Sequence, residues 1–148
     1  MIVLANGQPS AVELHAATMT LLHTISSITA YDSKVPNSPR AEPGSKRVYP
    51  YAVLWPNVGS FPAYEGESVS NEDQGELAWE ARVTVASGDP WWTLAAAAEV
   101  RRLLSRTRVH PRAGLLAEPP GAVPSVQEDS DPDPVRWFVP LVFTTMSA

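Results

Sequence analysis

Cysteine is absent from this 148-residue chain. Its absence excludes disulfide bonds, thiolate metal sites and cysteine nucleophiles, and it fits a protein that assembles in cytoplasm. No apolar run approaches the roughly 20 residues that a membrane-spanning helix needs, so we expect no membrane contact. The start of the chain lacks the basic segment and the long apolar core of a secretory signal, and we expect residues 1–9 to be a short leader.

Motifs for common catalytic and cofactor sites are also missing. There is no G-x-S-x-G nucleophile elbow and no glycine-rich phosphate loop. His15 and His23 lie eight residues apart, whereas two imidazoles on one helix share a metal ion at a spacing of four. The acidic segments lack the spacing of a calcium-binding loop. We therefore expect no catalytic residues, no metal ion and no cofactor, and we expect that the protein is not an enzyme.

The composition is that of a globular protein with acidic balance. Hydrophobic residues make up 44% and charged residues 18%, and the formal net charge of −5 argues against a surface that grips nucleic acid. We expect residues 1–148 to form one domain that buries about 70% of the surface of the unfolded chain. The 15 prolines cluster in connections. They and the acidic residues predict two long loops, at residues 57–76 and 117–134.

The stretch from Leu77 to Leu104 carries the clearest structural signal. Its first half alternates with a period of two, which predicts a strand with one buried face. Asp89 and Pro90 then suit the cap and the first position of a helix. The apolar residues that follow recur at helical spacing, namely Ala96, Ala97, Val100, Leu103 and Leu104. This stretch predicts a strand that runs directly into a helix packed on a sheet.

A helix is predicted before this unit. Ser10 and Glu13 have the S-x-x-E spacing of a capping box, in which each residue caps the other. Apolar residues from Leu14 to Ile28 then recur at helical spacing. We expect the helix to run to about Ser27.

Three further strands are predicted. Residues 51–55 indicate a buried strand, and residues 109–116 a short strand with Pro111 at its edge or start. Residues 135–145 form a strand that is apolar on both sides, and Pro140 within it indicates that part of it is a sheet edge. These elements predict an α+β fold with a mixed or antiparallel sheet of about four strands and two main helices.

Arginines and acidic residues are the first candidates for an interaction surface. The arginines at the end of the second predicted helix either form a solvated face that complements the negative helix terminus, or meet an acidic loop of a neighbouring copy. They are Arg101, Arg102, Arg106, Arg108 and Arg112. The acidic candidates for such a contact are Glu72, Asp73, Glu76, Glu128, Asp129 and Asp131.

Tryptophan is the second candidate. Trp91 and Trp92 are adjacent at the start of a helix and cannot both face the same core. One of them is expected to be exposed or in an interface, where tryptophan is enriched. The alternative is that one packs under the proline-rich loop of its own chain.

The order of elements resembles that of the tail terminator (tail-to-head joining) proteins of long-tailed bacteriophages, especially those that infect actinobacteria. The similarity covers roughly residues 10–145. It rests on the capped first helix, the segments 31–36 and 50–56, an acidic loop, the strand and turn of residues 81–90, an Ala/Arg helix and a closing aromatic strand.

The resemblance implies a structural virion protein, located in the neck at the top of the tail and in host cytoplasm during assembly. It implies a small α+β subunit that forms a six-membered ring on the major tail tube protein and joins the tube to the head connector. DNA would pass through the ring only as cargo. Two alternatives remain open. One is a head-closure, stopper or minor tail protein, and the other is a small-ligand-binding domain with Trp79, Trp91 or Trp92 in its pocket wall.

Overall fold

A central strand, flanked by two helices on one face, organises the structure. The computed structural model of the protein describes residues 8–61 and 77–147. These ranges form α1 (Ala11–Leu22), β1 (Thr29–Asp32), β2 (Tyr51–Trp55), β3 (Leu77–Ser87), α2 (Pro90–Leu104), β4 (Gln127–Asp129) and β5 (Arg136–Ser147). The strands lie in one sheet in the order β1-β2-β3-β5-β4. β1 is parallel to β2 and the other neighbours are antiparallel, so the predicted α+β fold is confirmed with five strands instead of about four.

The predicted alternation of β3 is confirmed. Leu77, Trp79, Ala81, Val83 and Val85 are all buried in the main core beside residues of both helices. β3 pairs with β5 along its whole length, from Leu77 opposite Ser147 to Ser87 opposite Trp137. The predicted apolar stripe of α2 is confirmed as well, because Ala96, Ala97, Val100 and Leu104 are buried and Leu103 packs against the same core. The helices therefore cover one face of the sheet.

The turn between β3 and α2 is held by several contacts. The Asp89 carboxylate accepts hydrogen bonds from the backbone N–H groups of Trp91 and Trp92, at 2.8 and 3.2 Å, as predicted for a helix cap. It also accepts one from Arg47 Nη1 at 2.9 Å. The Gly88 N–H donates to the Val48 carbonyl at 2.8 Å. A Cβ atom at Gly88 would come within 2.7 Å of the Val48 nitrogen, so this approach requires glycine.

The first helix begins as predicted but ends earlier. The Ser10 hydroxyl accepts a hydrogen bond from the Glu13 N–H at 3.2 Å, but the Glu13 carboxylate faces the ring of His110, 3.6 Å away, and does not complete the capping box. The predicted end at Ser27 is wrong, because the helix stops at Leu22. The Thr24 N–H bonds to the carbonyl three residues back and its hydroxyl donates to the same oxygen at 2.6 Å, which tightens the last turn.

Several strand predictions need correction. Residues 29–32 form β1, which the sequence did not predict. The strand predicted at residues 109–116 is wrong, because that segment forms no strand and is held by single contacts such as the bond from the Gly114 N–H to the Met146 carbonyl. The loop predicted at residues 117–134 contains the short edge strand β4. In each case the neighbouring strand, and not local periodicity, determines the structure.

Predictions for β2 and β5 are confirmed. Residues 51–54 of β2 are buried, and β5 turns Val139, Leu141 and Phe143 into the core. Thr144 exchanges backbone hydrogen bonds with Ala117 on the side of β5 away from β3. Because backbone groups alternate in direction along a strand, Pro140 also points to that side. It lies beyond the stretch of β5 that pairs with β4, so its missing N–H leaves the β3–β5 ladder intact.

Parts of the predicted leader and of the first long loop lie outside the described residues. In the described part of that loop, Ser60 and Ala78 exchange backbone hydrogen bonds of 2.7 Å. Gly59 before it has a φ of +71°, which favours glycine.

We expect the Asp89 cap to contribute measurably to stability. Asp89→Ala removes the acceptor for two helix N–H groups and one of the two carboxylates paired with Arg47, and should lower the free energy of unfolding by about 2 kcal/mol. Asp89→Asn retains a capping oxygen and should lose less than about 1 kcal/mol. Urea unfolding followed by circular dichroism measures both values. Equal losses would show that the charge, and not the cap, is what stabilises the turn.

Candidate interaction surfaces at the two ends of the sheet

Exposed apolar and charged side chains lie at both ends of the sheet. We call the end where β3 stops and α2 begins the tryptophan end; it carries Trp91, Leu94 and the acidic residues around β4. The other end, where α2 stops and β3 begins, is the arginine end. There the Arg106 N–H donates to the Leu116 carbonyl at 2.7 Å. The next residue, Ala117, exchanges backbone hydrogen bonds with Thr144 of β5, so the segment after α2 lies near the end of β5.

The two adjacent tryptophans differ in environment. Trp92 is half-buried and stacks on Tyr49 of its own chain, with ring centroids 6.0 Å apart and an interplanar angle of 20°. The Arg47 guanidinium also lies over the Trp92 ring, 4.3 Å from the ring centre. Trp91 is 74% exposed. Trp91 is therefore the exposed one of the two, whereas Trp92 packs on Tyr49 in the segment before β2.

Trp91 belongs to an exposed apolar strip on α2. Leu94 is three residues further along and is 51% exposed, and Ala98, also exposed, continues the same helix face. Sequence reasoning overlooked Leu94 because it considered only the buried stripe. An apolar residue opposite that stripe is the signal that would have found it.

Acidic side chains lie on β4 and directly after it, at the same end of the sheet. The Thr93 hydroxyl donates to the Trp137 carbonyl at 3.1 Å, and Glu128 of β4 lies opposite Trp137 in the ladder. β4 therefore lies next to the start of α2. Glu128 and Asp131 are exposed and Asp129 is half-buried. The other predicted acidic candidates, Glu72, Asp73 and Glu76, lie outside the described residues.

The predicted arginine cluster is divided between internal and external roles. Arg101 is bound within the chain, because its Nε and Nη2 atoms donate to the two carboxylate oxygens of Glu118 at 2.6 and 2.7 Å. These bonds raise the pKa of the Arg101 guanidinium above its ordinary value. Arg102 pairs with Glu99 one turn earlier on α2, and Arg108 Nη1 donates to the Ala113 carbonyl at 2.6 Å.

Arg106 remains available for an external partner. Within the described residues its side chain has no hydrogen bond or ion pair, and it is exposed. It follows directly after the end of α2 with a φ of +61°. Arg108 and Arg112 close by in the sequence are exposed as well, so basic side chains face solvent at the arginine end even though Arg101 is paired with Glu118 and Arg102 with Glu99.

A cavity of about 600 Å³ lies at the same end of the sheet, and Arg82 is the arginine on its wall. Val58, Leu115 and Met146 are exposed apolar residues on its wall, and Glu80 and Arg82, paired at 2.7 Å, supply charged side chains. The wall comes from four segments that are distant in sequence, around residues 58, 80, 115 and 145. No local sequence pattern could have predicted it.

Other kinds of site find little support. Among residues 8–61 and 77–147, no three His, Cys, Asp or Glu side chains are grouped so that they could bind a metal ion together. Neither helix in these ranges is both long and apolar enough to cross a membrane. No protein-family model matches the chain, and no curated protein is significantly similar to it. The function must therefore be inferred from the chain's own surfaces.

We expect the arginines to differ in their contribution to stability. Arg101→Ala breaks a two-bond pair with Glu118 and should lower the free energy of unfolding by about 1 kcal/mol, since the pair is only partly shielded from water. Arg106→Gln, the control, should change it by less than about 0.5 kcal/mol. Urea titrations in low and high salt provide the test. The Arg101 effect should shrink in 1 M salt, and an effect insensitive to salt would point to lost packing instead.

Proposed function

We propose that this protein is a tail terminator of a long-tailed bacteriophage. In this role it forms a ring of six copies on the last ring of the major tail tube protein, and the ring presents its other surface to the head connector. The observation that carries the proposal is the opposite character of the two ends of the sheet. One end has exposed Trp91 and the exposed carboxylates of Glu128 and Asp131, and the other has an apolar cavity and the exposed arginines that follow α2.

Two different and complementary ends favour head-to-tail association. A head-to-tail contact uses one surface of each copy against the other surface of the next, and it closes into a ring when the rotation between copies allows it. Glu128 and Asp131 of one copy would then face Arg106 and its neighbours in the next, which gives the contact its direction. The same contact would also cover exposed apolar side chains.

The sequence resemblance supports the same role. It rests on a capped first helix, a short apolar strand, a strand that runs into a capped helix and a closing aromatic strand. These elements correspond to α1, β2, the β3–α2 unit and β5 of the fold. The negative net charge suits a ring through which DNA moves as cargo, because it disfavours the phosphate neutralisation that would retain the DNA.

A second candidate function is favoured by one observation. The cavity at the arginine end falls within the usual volume range of small-molecule sites. Trp79 lines this cavity, and its buried Nε1 atom has no hydrogen-bond partner. A small-ligand-binding domain should show ligand-dependent thermal shifts across a panel of metabolites. A ring protein should show none.

Electron microscopy tests the proposed role directly. The gold-labelled protein is mixed with tail tubes of its source virus and examined by negative stain. We expect label at one end of tubes of uniform length. Label on filled heads alone would identify a stopper protein instead, and label on neither would contradict any role in the neck.

Charge reversal tests the head-to-tail arrangement. We expect Arg102→Glu together with Arg106→Glu to abolish ring formation on tubes, and Glu128→Lys together with Asp131→Lys to do the same, because each change places like charges in contact. Introducing both pairs of changes into the same chain should restore assembly, since the opposite charges then face each other again. The control is a charge reversal at Lys34, an exposed residue that belongs to neither end. Assembly unaffected by either double change would overturn the charge pairing.

A further inference from the structure

The exposed Trp91 side chain and the cavity beside Val58 and Leu115 lie at opposite ends of the molecule. We infer that Trp91 of one copy inserts into the cavity at the arginine end of the next copy, so that the occupant of the cavity is a second copy of this chain. This inference rests on the proposed function in one respect, which is that copies of the chain associate head to tail. It goes further in naming the residue and the cavity that set the register of that contact.

Trp91 is presented on a rigid support. It occupies the first turn of α2, where its backbone N–H is bonded to the Asp89 carboxylate. The adjacent Trp92 is held by contacts with Tyr49 and Arg47. The helix start is therefore held by its own chain while the Trp91 ring projects into solvent. Because a preformed side chain loses little entropy on binding, such tryptophans are among the strongest anchors of protein interfaces.

The cavity matches a tryptophan side chain in chemistry. Val58, Leu115 and Met146 provide apolar surface for the ring. A buried indole N–H requires an acceptor, and the Glu80 carboxylate on the cavity wall can supply one. Val58 is 84% exposed and Leu115 48%, so a large apolar area faces solvent until something enters the cavity.

The charged residues at the end with Trp91 and at the end with the cavity are of opposite sign, which favours this contact. Glu128 and Asp131 lie at the same end as Trp91, whereas Arg106 and Arg108 follow α2 at the end with the cavity. Insertion of Trp91 therefore brings acidic side chains of one copy toward basic side chains of the next. Trp91 cannot fill the cavity of its own chain, because β3 separates the two ends by about 35 Å for its 11 residues.

Crosslinking tests this inference, and the absence of native cysteine makes it specific. One protein carries Leu94→Cys, next to Trp91, and a second carries Leu115→Cys on the cavity wall. The two are mixed and treated with a short bis-maleimide, with and without tail tubes. We expect a crosslinked dimer of the two proteins. The matched control pairs Val12→Cys, an exposed position on α1, with Leu115→Cys and should yield little product.

Removal of the tryptophan provides the decisive variant. Adding Trp91→Ala to the Leu94→Cys chain should lower the crosslink yield at least about tenfold, because it removes the anchor, whereas Val12→Ala should leave the yield unchanged. Circular dichroism should show both variants folded, since the exposed Trp91 ring contributes little to the core.

The outcomes separate this inference from the proposed function. Label at tube ends without a 94–115 crosslink would overturn the Trp91 contact and leave the terminator role standing. A crosslink that depends on Trp91, without binding to tubes, would support the contact and overturn the terminator role. Absence of both would overturn both.

Discussion

The Asp89 carboxylate is the contact on which the arrangement of the surfaces depends. It caps α2 and at the same time binds Arg47, which covers the Trp92 ring. Because β3 leads into this turn, the cap fixes the direction in which α2 returns along the sheet. That direction places Trp91 at one end of the molecule and the arginines after Leu104 at the other. The Asp89 side chain thus stabilises the start of α2 and the packing of residues 40–49, and it helps to place different side chains at the two ends of the molecule.

The parts of the fold that the sequence predicts are those whose burial pattern is local. The alternation in β3 and the stripe in α2 each repeat several times within one element, and a core on one side of each element preserves the pattern. β1 and β4 are only four and three residues long, too short for a period to be visible. They are strands because β2 and β5 offer them free edges. The sequence predicts too long an α1 for a related reason. The Thr24 hydroxyl donates to the backbone carbonyl of Leu21, and such local hydrogen bonds compete with those that would continue the helix.

The candidate surfaces were predictable only in part. Adjacent tryptophans at a helix start indicate that one of them leaves the core, but the choice between them depends on Tyr49 and Arg47, which are more than 40 residues away in the sequence. The arginine cluster was recognisable, whereas the neutralisation of Arg101 was not, because Glu118 lies in a proline-rich segment without periodicity. The cavity combines four segments and has no sequence signature at all. Prediction from sequence thus identified the residue types of the surface, and the structure supplied their division between internal and external contacts.

The distribution of charge decides which symmetry the proposed association can have. In a twofold dimer formed through one end alone that end meets itself, so carboxylates of the tryptophan end would face carboxylates, or arginines of the other end would face arginines. Like charges in contact are unfavourable, and Trp91 would then meet another Trp91, or the cavity another cavity. A contact between unlike ends satisfies both the charges and the shapes. Such a contact leaves one free end of each kind on every open chain of copies, and closure into a ring pairs these two ends with each other. A ring with a defined number of members therefore requires a fixed angle between neighbours, and a capped helix that carries Trp91 is a stiffer source of that angle than a loop.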